Sequence, residues 1–346
     1  MKRLLAMLLC VFCSPLAIIP VASAASAYKP TVTSHRGASG YLPEHTLEAK
    51  AMAYALGVDY IEQDVVLTKD TVLVVLHDPT LETTTNVAEL YPDRKRADGR
   101  YYAIDFTLAE IKGLLVTERF RPKTGEPVFS GRFPLKTGID FRVPTFEEEI
   151  LFVQGLNKST GRNVGLYVEV KEPAFHAKEG KPIMKPVIDM LAKYGYNEKG
   201  ANVILQIFDY DAVKEARDLG WKADLAMLVY AKGQNLTDDK AVHAKLLTQE
   251  GIKEVAQYAT IYAPLFSHLA EPNADGKGYT VSPRLKWAKD AGMKVHTWTH
   301  RTDSLAKGFA SDDAMFEAIF KKMKLDGLFS DFPDRPIEYL KKNKLR

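Results

Sequence analysis

The sequence predicts an α/β protein, a distorted (β/α)8 TIM barrel with a small subdomain inserted after the third strand. Eight or nine short apolar runs recur along the chain, and amphipathic segments lie between most of them. Strands that alternate with helices are typical of βα units around a mainly parallel sheet. This number of units favours closure into a barrel, and a doubly wound open sheet is the alternative.

Nine apolar runs are the predicted strands, and five amphipathic segments are predicted helices. The strands are residues 31–34, 59–67, 72–78, 163–171, 202–208, 224–230, 259–265, 293–299 and 326–332. The helices are residues 46–56, 145–154, 185–194, 210–219 and 282–291. Only the sequence TKDT clearly separates the second run from the third, whereas a parallel crossover needs about a dozen residues or more. We therefore expect a local hairpin, which distorts the barrel.

Residues 79–143 interrupt the rhythm of strands and helices. They are rich in Pro, Gly, Arg and Asp, and so long a connection is usually functional or a small inserted subdomain. Because the segment follows the third strand, we expect it at the end of the barrel where active sites lie. Its aromatic and basic residues are candidates for a partial lid, with surface packing as the alternative: Tyr101, Tyr102, Phe120, Arg121 and Phe133.

Residues 1–27 have the layout of a secretory signal peptide. A Lys-Arg pair precedes an apolar run over residues 4–21, and small residues follow at 22–27. A membrane anchor is the alternative, because the run is nearly long enough to span a bilayer, but two prolines and the Ala-Ser-Ala sites favour cleavage. We expect a mature chain of residues 28–346, secreted through a cleaved signal peptide, with the periplasm as its location.

Charge and cysteine content exclude several classes of protein. The chain has 47 basic and 44 acidic residues, and loss of the Lys-Arg pair of the leader leaves 45 against 44, a net charge of +1. This balance gives no support for a nucleic-acid partner. Both cysteines, Cys10 and Cys13, lie in the leader. The mature chain therefore has no disulfide and no cysteine chemistry.

Charged or titratable side chains end the first four apolar runs. They are His35 and Arg36, Glu62 and Asp64, His77 and Asp78, and Glu169 and Lys171. The two-residue spacing of the second and fourth pairs makes both members point the same way on a strand. Charge inside an apolar strand is costly unless it is paired or ligates a metal. One such residue is easily structural, but four successive strands favour a shared active site at one end of the barrel.

Five motifs carry a resemblance to a known family. The segments HRGASGYLPEHT, EQDVVLTKD, VVLHD, YVEVK and DGLFSDFPD closely resemble those of the glycerophosphodiester phosphodiesterases. Two further segments, DGRYYAIDFTLAEIK and TFEEEILFVQGLN, resemble the bacterial periplasmic type. The resemblance implies metal-dependent hydrolysis of small glycerophosphodiesters, such as glycerophosphocholine and glycerophosphoethanolamine, to sn-glycerol 3-phosphate and an alcohol.

The resemblance also implies roles for individual residues. His35 and His77 would be the acid–base pair. Glu62, Asp64 and Glu169 would hold one divalent cation, calcium in the periplasmic type, with magnesium as the alternative. Carboxylate ligands suit these hard cations and not zinc. The order of proton transfers stays open, as does whether water or a substrate hydroxyl attacks first.

Six residues are candidates for binding the substrate. Arg36 and Lys171 would contact the phosphate, as the resemblance implies. The others are Glu44, Gln206, Phe208 and Trp298. A helix cap is the alternative for the glutamate, and core packing is the alternative for the two aromatic residues.

The histidines outside this set have no assigned role. His45 stands where Asn is common in the wider family, and its effect is open. We expect His300 at the surface, and His176, His243 and His268 at the surface or in structural positions.

Two rival functions stay open from the sequence. One is hydrolysis of lipid headgroups by a phospholipase D or C on a related barrel, and the other is a non-catalytic secreted binding protein. A small-molecule substrate and no stable membrane insertion are expected, and the oligomeric state is not predicted. If the segment 79–143 covers the barrel mouth, it would select soluble diesters against lipids. We expect that shortening it would leave the histidines and carboxylates in place.

Overall fold

Eight parallel strands close into a barrel in the computed structural model, which describes residues 28–230 and 240–346. The strands of these ranges are β1 (Thr31–Ser34), β2 (Tyr60–Leu67), β3 (Leu73–Val75), β4 (Gly165–Val170), β5 (Val203–Ile207), β6 (Asp224–Val229), β7 (Ile261–Pro264), β8 (Ala270–Pro272), β9 (Tyr279–Val281), β10 (Lys294–His300) and β11 (Gly327–Ser330). The sheet has the order β1-β11-β10-β7-β6-β5-β4-β2-β3, and β1 also pairs with β2. The predicted barrel is confirmed, while the predicted signal peptide lies outside the described residues.

Helices connect most of the parallel strands. In the described part of the chain they are α1 (Leu47–Leu56), α2 (Val87–Leu90), α3 (Leu108–Lys112), α4 (Phe146–Thr160), α5 (Pro173–Lys178), α6 (Met184–Lys193), α7 (Tyr210–Asp218), α8 (Lys240–Leu246), α9 (Gln249–Val255), α10 (Pro283–Asp290), α11 (Asp312–Phe316) and α12 (Asp334–Lys342). The five helices expected from the sequence correspond to α1, α4, α6, α7 and α10. Across these described ranges, none is long and apolar enough to cross a membrane.

Side chains fill the inside of the barrel. Tyr167 of β4 is completely buried and packs edge to face against Phe329 of β11 and Tyr60 of β2, with ring centroids 4.7 Å and 5.9 Å apart. A larger apolar cluster lies between the strands and the surrounding helices. Because the interior is a packed core and not a pore, chemistry is confined to the ends of the strands.

The third strand reverses direction, as the short link before it predicts. β3 runs antiparallel to β2, with Leu67 opposite Leu73, and the last two residues of β2 pair with β3 alone. The N–H of Leu76 then donates to the carbonyl of Asp64 at 2.9 Å. His77 therefore follows a strand that runs antiparallel to β2, and the predicted hairpin is confirmed. β2 extends past the barrel rim, and β3 returns along it towards the level of the acidic residues.

The segment 79–143 adds no strand to the barrel sheet. It contains α2, α3 and a 3-10 turn at Ala103–Asp105, and its apolar side chains form a cluster separate from the main core. Tyr101 belongs to this cluster, and Tyr102 stacks on Phe175 with ring centroids 5.3 Å apart. Both tyrosines are buried in packing contacts, Tyr101 within the segment and Tyr102 against α5.

Candidate active site

Three carboxylates from two neighbouring strands form a buried acidic cluster. Glu62 and Asp64 lie on β2, Glu169 lies on β4, and the parallel register places Asp64 opposite Glu169. One oxygen of each residue lies within 4.8 Å of the other two. Oxygens that share one calcium ion, each 2.3–2.6 Å from it, can be at most about 5 Å apart. The cluster therefore has the dimensions of a site for a single cation.

The three carboxylates of the cluster are buried close to one another, and a divalent cation would relieve the repulsion between their charges. Burial raises the pKa of Glu62 well above its usual value, and the Asp64 carboxylate adds to the effect. Burial also raises the pKa of Glu169 to about 8. For Asp64 the effect of burial is outweighed by Lys171 and by a hydrogen bond from His45, so its pKa is well below the usual range. Oδ1 of Asp64 is buried and has no hydrogen-bond partner among the described residues. An oxygen without a donor, among carboxylates that repel one another, suits a bound cation.

His35 follows β1 and is oriented by an aspartate that follows β11. Nδ1 of His35 donates to Oδ1 of Asp331 at 2.6 Å, because an ionised carboxylate can only accept. Nε2 is therefore the atom of this imidazole that can exchange a proton. Burial lowers the pKa of His35 to about 4, and Arg36 adds to the lowering while Asp331 opposes it. The imidazole is neutral at pH 7.

His77 has the same arrangement at the end of β3. Its Nδ1 donates to Oδ1 of Asp78 at 2.6 Å. The second oxygen of Asp78 accepts from Thr83 at 2.9 Å and from Nη1 of Arg119 at 2.6 Å. Burial, followed by the charge of Arg36, lowers the pKa of His77 to about 4. Two neutral imidazoles, each with Nδ1 occupied by an aspartate, therefore belong to this end of the barrel.

Arg36 joins the end of β1 to the acidic cluster. Its backbone has a φ of 59°, and its N–H donates to Oε2 of Glu62 at 2.5 Å. Nε of Arg36 is buried without a hydrogen-bond partner within the described ranges. Gly37 follows with a φ of 87°, and a Cβ there would lie 2.8 Å from the carbonyl carbon of Ala49. The turn and the close approach of α1 both require glycine after the His-Arg pair.

Glu44 holds two arginines and does not cap a helix. Both of its oxygens accept from Nη1 of Arg36 at 3.1 Å, and they also accept from Nη2 and Nε of Arg119 at 2.7 Å and 2.9 Å. Burial alone would raise the pKa of Glu44, but the two guanidinium groups lower it below its usual range. Helix α1 is capped by Thr46, whose side chain accepts from the N–H of Ala49. The helix-cap alternative is therefore wrong.

Lys171 and Gln206 contact the acidic cluster directly. Nζ of Lys171 donates to Oε1 of Glu169 at 2.5 Å, and both side chains are buried. Nε2 of Gln206 donates to Oε1 of Glu62 at 3.2 Å, while its own Oε1 has no hydrogen-bond partner in the described part of the chain. Both polar residues thus orient carboxylates of the cluster.

The two aromatic candidates form one half-buried wall. Phe208 and Trp298 pack edge to face with ring centroids 5.5 Å apart, and the indole N–H of Trp298 donates to the carbonyl of Ala263 at 2.9 Å. Nζ of Lys171 lies 5.8 Å from the centroid of Phe208. The wall therefore adjoins the acidic cluster through the lysine.

His45, which the sequence leaves without a role, supports a carboxylate of the cluster. It is buried with a φ of 62°, and its Nε2 donates to Oδ2 of Asp64 at 2.7 Å. Its Nδ1 lies 3.3 Å from Nζ of Lys50, and this buried lysine also lies 3.5 Å from Glu149. The chain of contacts fixes which nitrogen of His45 carries the proton.

Sequence reasoning missed four residues of this end of the barrel: Asp331, Arg119, Arg132 and Arg301. The aspartate had a signal, because it closes the last strand within the DGLFSDFPD motif. The first two arginines belong to the irregular segment 79–143 and the third follows β10, where no periodicity marks a side chain as inward-facing. Only the folded chain brings them to Asp78 and Asp331.

The expectation of a surface position for His300 is wrong. The residue ends β10 and is completely buried. Its Nδ1 lies 2.8 Å from the hydroxyl of Ser330, and its Nε2 lies 2.9 Å from Asp312 at the start of α11. It joins β10 to β11 and to the start of α11, which is a structural role.

Comparison of sequences identifies related proteins over most of the chain. The model of the glycerophosphoryl diester phosphodiesterase family matches residues 35–335. A glycerophosphodiester phosphodiesterase of Haemophilus influenzae is 41% identical over 328 residues, which cover 90% of this chain and 89% of the relative. One of Treponema pallidum is 37% identical and covers 90% and 92%.

Solved structures share the fold at lower sequence identity. A putative glycerophosphoryl diester phosphodiesterase of Silicibacter pomeroyi has a TM-score of 0.63 and 21% identity, covering 91% of this chain and 94% of that one. A phosphodiesterase of Oleispira antarctica, solved in complex with the product sn-glycerol-3-phosphate, has a TM-score of 0.60 and 20% identity, covering 91% and 98%.

Proposed function

The chain belongs to the glycerophosphoryl diester phosphodiesterase family, a family of hydrolases, and we propose that it hydrolyses soluble glycerophosphodiesters to sn-glycerol 3-phosphate and an alcohol. Glycerophosphocholine and glycerophosphoethanolamine are the expected substrates. One observation carries the proposal: two imidazoles, each oriented through Nδ1 by an aspartate at 2.6 Å, adjoin one buried acidic cluster. Acid–base groups beside a site for a cation are what cleavage of a phosphodiester requires.

Glu62, Asp64 and Glu169 would hold one divalent cation, for which we propose calcium, with magnesium as the alternative. When bound, this ion supplies positive charge to a phosphoryl oxygen and offsets the charge that develops during cleavage. The proposal is supported by the oxygen-only set of ligands, which suits hard cations and not zinc. Lys171 would then exchange part of its contact with Glu169 for a phosphate oxygen.

Arg36 would bind the phosphodiester with its planar guanidinium group, which can form two hydrogen bonds in parallel. Glu44 fixes one edge of this group, and Nε, which lies 3.7 Å from Asp64 and has no hydrogen-bond partner among the described residues, supports a role for the remaining donors. The aromatic pair Phe208 and Trp298 would pack against the carbon chain of the glycerol.

The two histidines would divide the proton transfers. One imidazole accepts the proton of the nucleophile, water or a hydroxyl of the substrate, at Nε2, and the other donates a proton to the departing alkoxide. The donor must be protonated first. The negative charge of a bound phosphodiester favours that form, because it opposes the burial and the cationic neighbours that lower both pKa values.

We propose a location outside the cytoplasm on the basis of the leader-like sequence of residues 1–27. The absence of cysteine from residues 28–346 means that export would expose no thiol to oxidation. Deacylated phospholipids are small and soluble, and a secreted hydrolase would meet them before their uptake.

One observation favours a second substrate class, lysophospholipids. Residues of the segment 79–143 line most of a cavity of about 550 Å³, and Pro43, the neighbour of Glu44 in the chain, lines it as well. Much of its lining is apolar and includes Leu115, Val116, Phe120, Phe133, Leu135, Ile139 and Phe141. A volume of this size accepts part of an acyl chain, which small glycerophosphodiesters lack.

A coupled assay for sn-glycerol 3-phosphate tests the proposed reaction. The mature protein is incubated with glycerophosphocholine or lysophosphatidylcholine, each with calcium, with magnesium and after exhaustive chelation. We expect release of sn-glycerol 3-phosphate from the soluble diester, its loss on chelation and its return with calcium. Choline release from lysophosphatidylcholine alone would assign the second substrate class. No product from either substrate with metal present would contradict both.

A further inference from the structure

The inserted segment 79–143 reaches both histidines through two arginines. Nη1 of Arg119 donates to Oδ2 of Asp78 at 2.6 Å, and Oδ1 of the same carboxylate accepts from His77. Nη2 of Arg132 donates to Oδ2 of Asp331 at 2.8 Å, and Oδ1 of that carboxylate accepts from His35. The two histidines therefore have the same support: imidazole, aspartate, and an arginine of the insertion.

Each arginine is itself fixed by further contacts. Arg119 also holds Glu44 with Nε and Nη2 at 2.9 Å and 2.7 Å. Arg132 forms a two-nitrogen pair with Asp303 at 2.7 Å and 3.1 Å, and its guanidinium carbon lies 3.7 Å from the ring centroid of Phe129. Only 4% of its side chain is exposed. Neither guanidinium can move without losing several charge-assisted hydrogen bonds.

We propose that the insertion completes the active site, with Arg119 and Arg132 as positioning residues that fix His77 and His35 through Asp78 and Asp331. The roles of the histidines in this inference rest on the proposed function.

Hydrogen bonds to both oxygens of an aspartate explain how an arginine can fix the orientation of a histidine. A carboxylate that accepts only from an imidazole can rotate about its last bond and release Nδ1, whereas a carboxylate held at both oxygens cannot. With Nδ1 fixed as the donor to the aspartate, the imidazole keeps one orientation, and Nε2 stays available for proton transfer. Arg301 also reaches Oδ2 of Asp331 at 2.8 Å, so this oxygen has two charged donors, whereas Oδ2 of Asp78 has one charged donor, Arg119, and the neutral hydroxyl of Thr83. Loss of Arg119 should therefore have the larger effect.

Shortening the insertion should therefore affect the orientation of the histidines. A linker that replaces both arginines would leave the histidines in the chain but would release the aspartates that orient them. We expect such a shortened protein to lose turnover, whatever the change in its choice between soluble diesters and lipids.

The test uses single substitutions in the full mature protein. The variants are Arg119→Gln, Arg119→Lys, Arg132→Gln and, as a matched control, Arg121→Gln. The control arginine belongs to the same segment but is exposed, and its guanidinium donates to the carbonyl of Pro127 and not to an aspartate. We expect kcat on glycerophosphocholine to fall about tenfold or more for Arg119→Gln and less for Arg132→Gln, with smaller changes in KM. Arg119→Lys should restore part of the loss, and the control should match the parent.

Imidazole resonances of protein labelled with nitrogen-15 histidine give a readout that needs no substrate. We expect the Nδ1–H signal of His77 to move or broaden in Arg119→Gln and that of His35 to do so in Arg132→Gln, while the control moves neither. Assignment by His35→Gln and His77→Gln identifies the signals. If the parent lacks phosphodiesterase activity, the proposed function fails and these spectra still decide the positioning role.

Two results would overturn the inference. One is unchanged kcat per folded molecule, together with unchanged His77 and His35 signals, in the glutamine variants. The other is a loss of thermal stability in those variants that accounts for the whole loss of activity while the imidazole signals stay in place. If a glutamine variant does not fold, the lysine variant, which keeps the charge, carries the same comparison.

Discussion

Nε2 of His45 lies 2.7 Å from Oδ2 of Asp64, so a histidine without a role in the sequence supports the central carboxylate of the acidic cluster. Lys50 contacts the other nitrogen of the ring at 3.3 Å. Groups that hydrogen-bond to metal ligands fix the orientation of those ligands, and their loss commonly costs 10- to 100-fold in affinity. The acidic cluster therefore depends on α1 as well as on the two strands that carry it.

We expect His45→Ala to weaken calcium binding by about 10- to 100-fold, because Oδ2 of Asp64 would lose its donor. His45→Asn, which keeps a short donor, should weaken it less. Titration calorimetry with calcium measures the effect directly, and His268→Gln is the control, since His268 lies in a 3-10 turn after β7. Equal affinity in the parent and in His45→Ala would show that the hydrogen bond does not orient the ligand.

Substitution of a carboxylate of the acidic cluster should have opposite effects on thermal stability in the absence and in the presence of calcium. Glu62 is buried beside Asp64, and its pKa is raised well above the usual value, so its ionised form destabilises the metal-free protein. We expect Glu62→Gln to raise the melting temperature after chelation and to reduce the rise that calcium produces in the parent. Differential scanning calorimetry with and without calcium measures both. A variant that retains the full calcium-dependent rise would rule out Glu62 as a ligand.

Glu118 should make stability fall as the pH rises. It is buried, and burial followed by the charge of Glu44 raises its pKa to about 8. Between its unfolded pKa of about 4.3 and pH 8 the folded state keeps a proton that the unfolded state has released, so the folded state loses stability over this window. Each unit of difference between the two pKa values is worth about 1.4 kcal/mol, which makes the effect as large as a few kcal/mol.

Glu118→Gln should therefore gain stability over the parent as the pH increases from 5 to about 8.5. Urea unfolding at the two pH values gives the difference in free energy, and Glu126→Gln, an exposed position of the same insertion, serves as the control. A difference between Glu118→Gln and the parent that is the same at both pH values would mean that Glu118 is not the group responsible.

The sequence was sufficient for the barrel because its strands are continuous apolar runs of ordinary length, and burial on both faces produces such runs. The acidic cluster could also be anticipated, since Glu62, Asp64 and Glu169 are charges inside those runs. The reversal of β3 followed from the short link before it. The height of His77 along the barrel axis could not be predicted in the same way. That height depends on how far β2 extends past the rim, which no local pattern encodes.

The supports of the histidines could not be anticipated for a different reason. Arg119 and Arg132 lie in a segment without periodicity, and their partners lie 41 and 199 positions away in the chain. His300 was misjudged because a strand-end histidine has the same sequence pattern whether it faces solvent or a neighbouring strand. Only the position of α11, which carries Asp312, decides this.

The specificity constant for glycerophosphocholine in the two histidine variants and their combination tests the central claim most directly. Acid and base groups that act in one reaction are strongly non-additive. We predict that His35→Ala, His77→Ala and the double variant each lose about 100-fold or more, with the double variant close to the more impaired single variant. Near-parental turnover in either single variant, with calcium bound and the fold intact, would contradict the assignment of the two histidines as the acid–base pair.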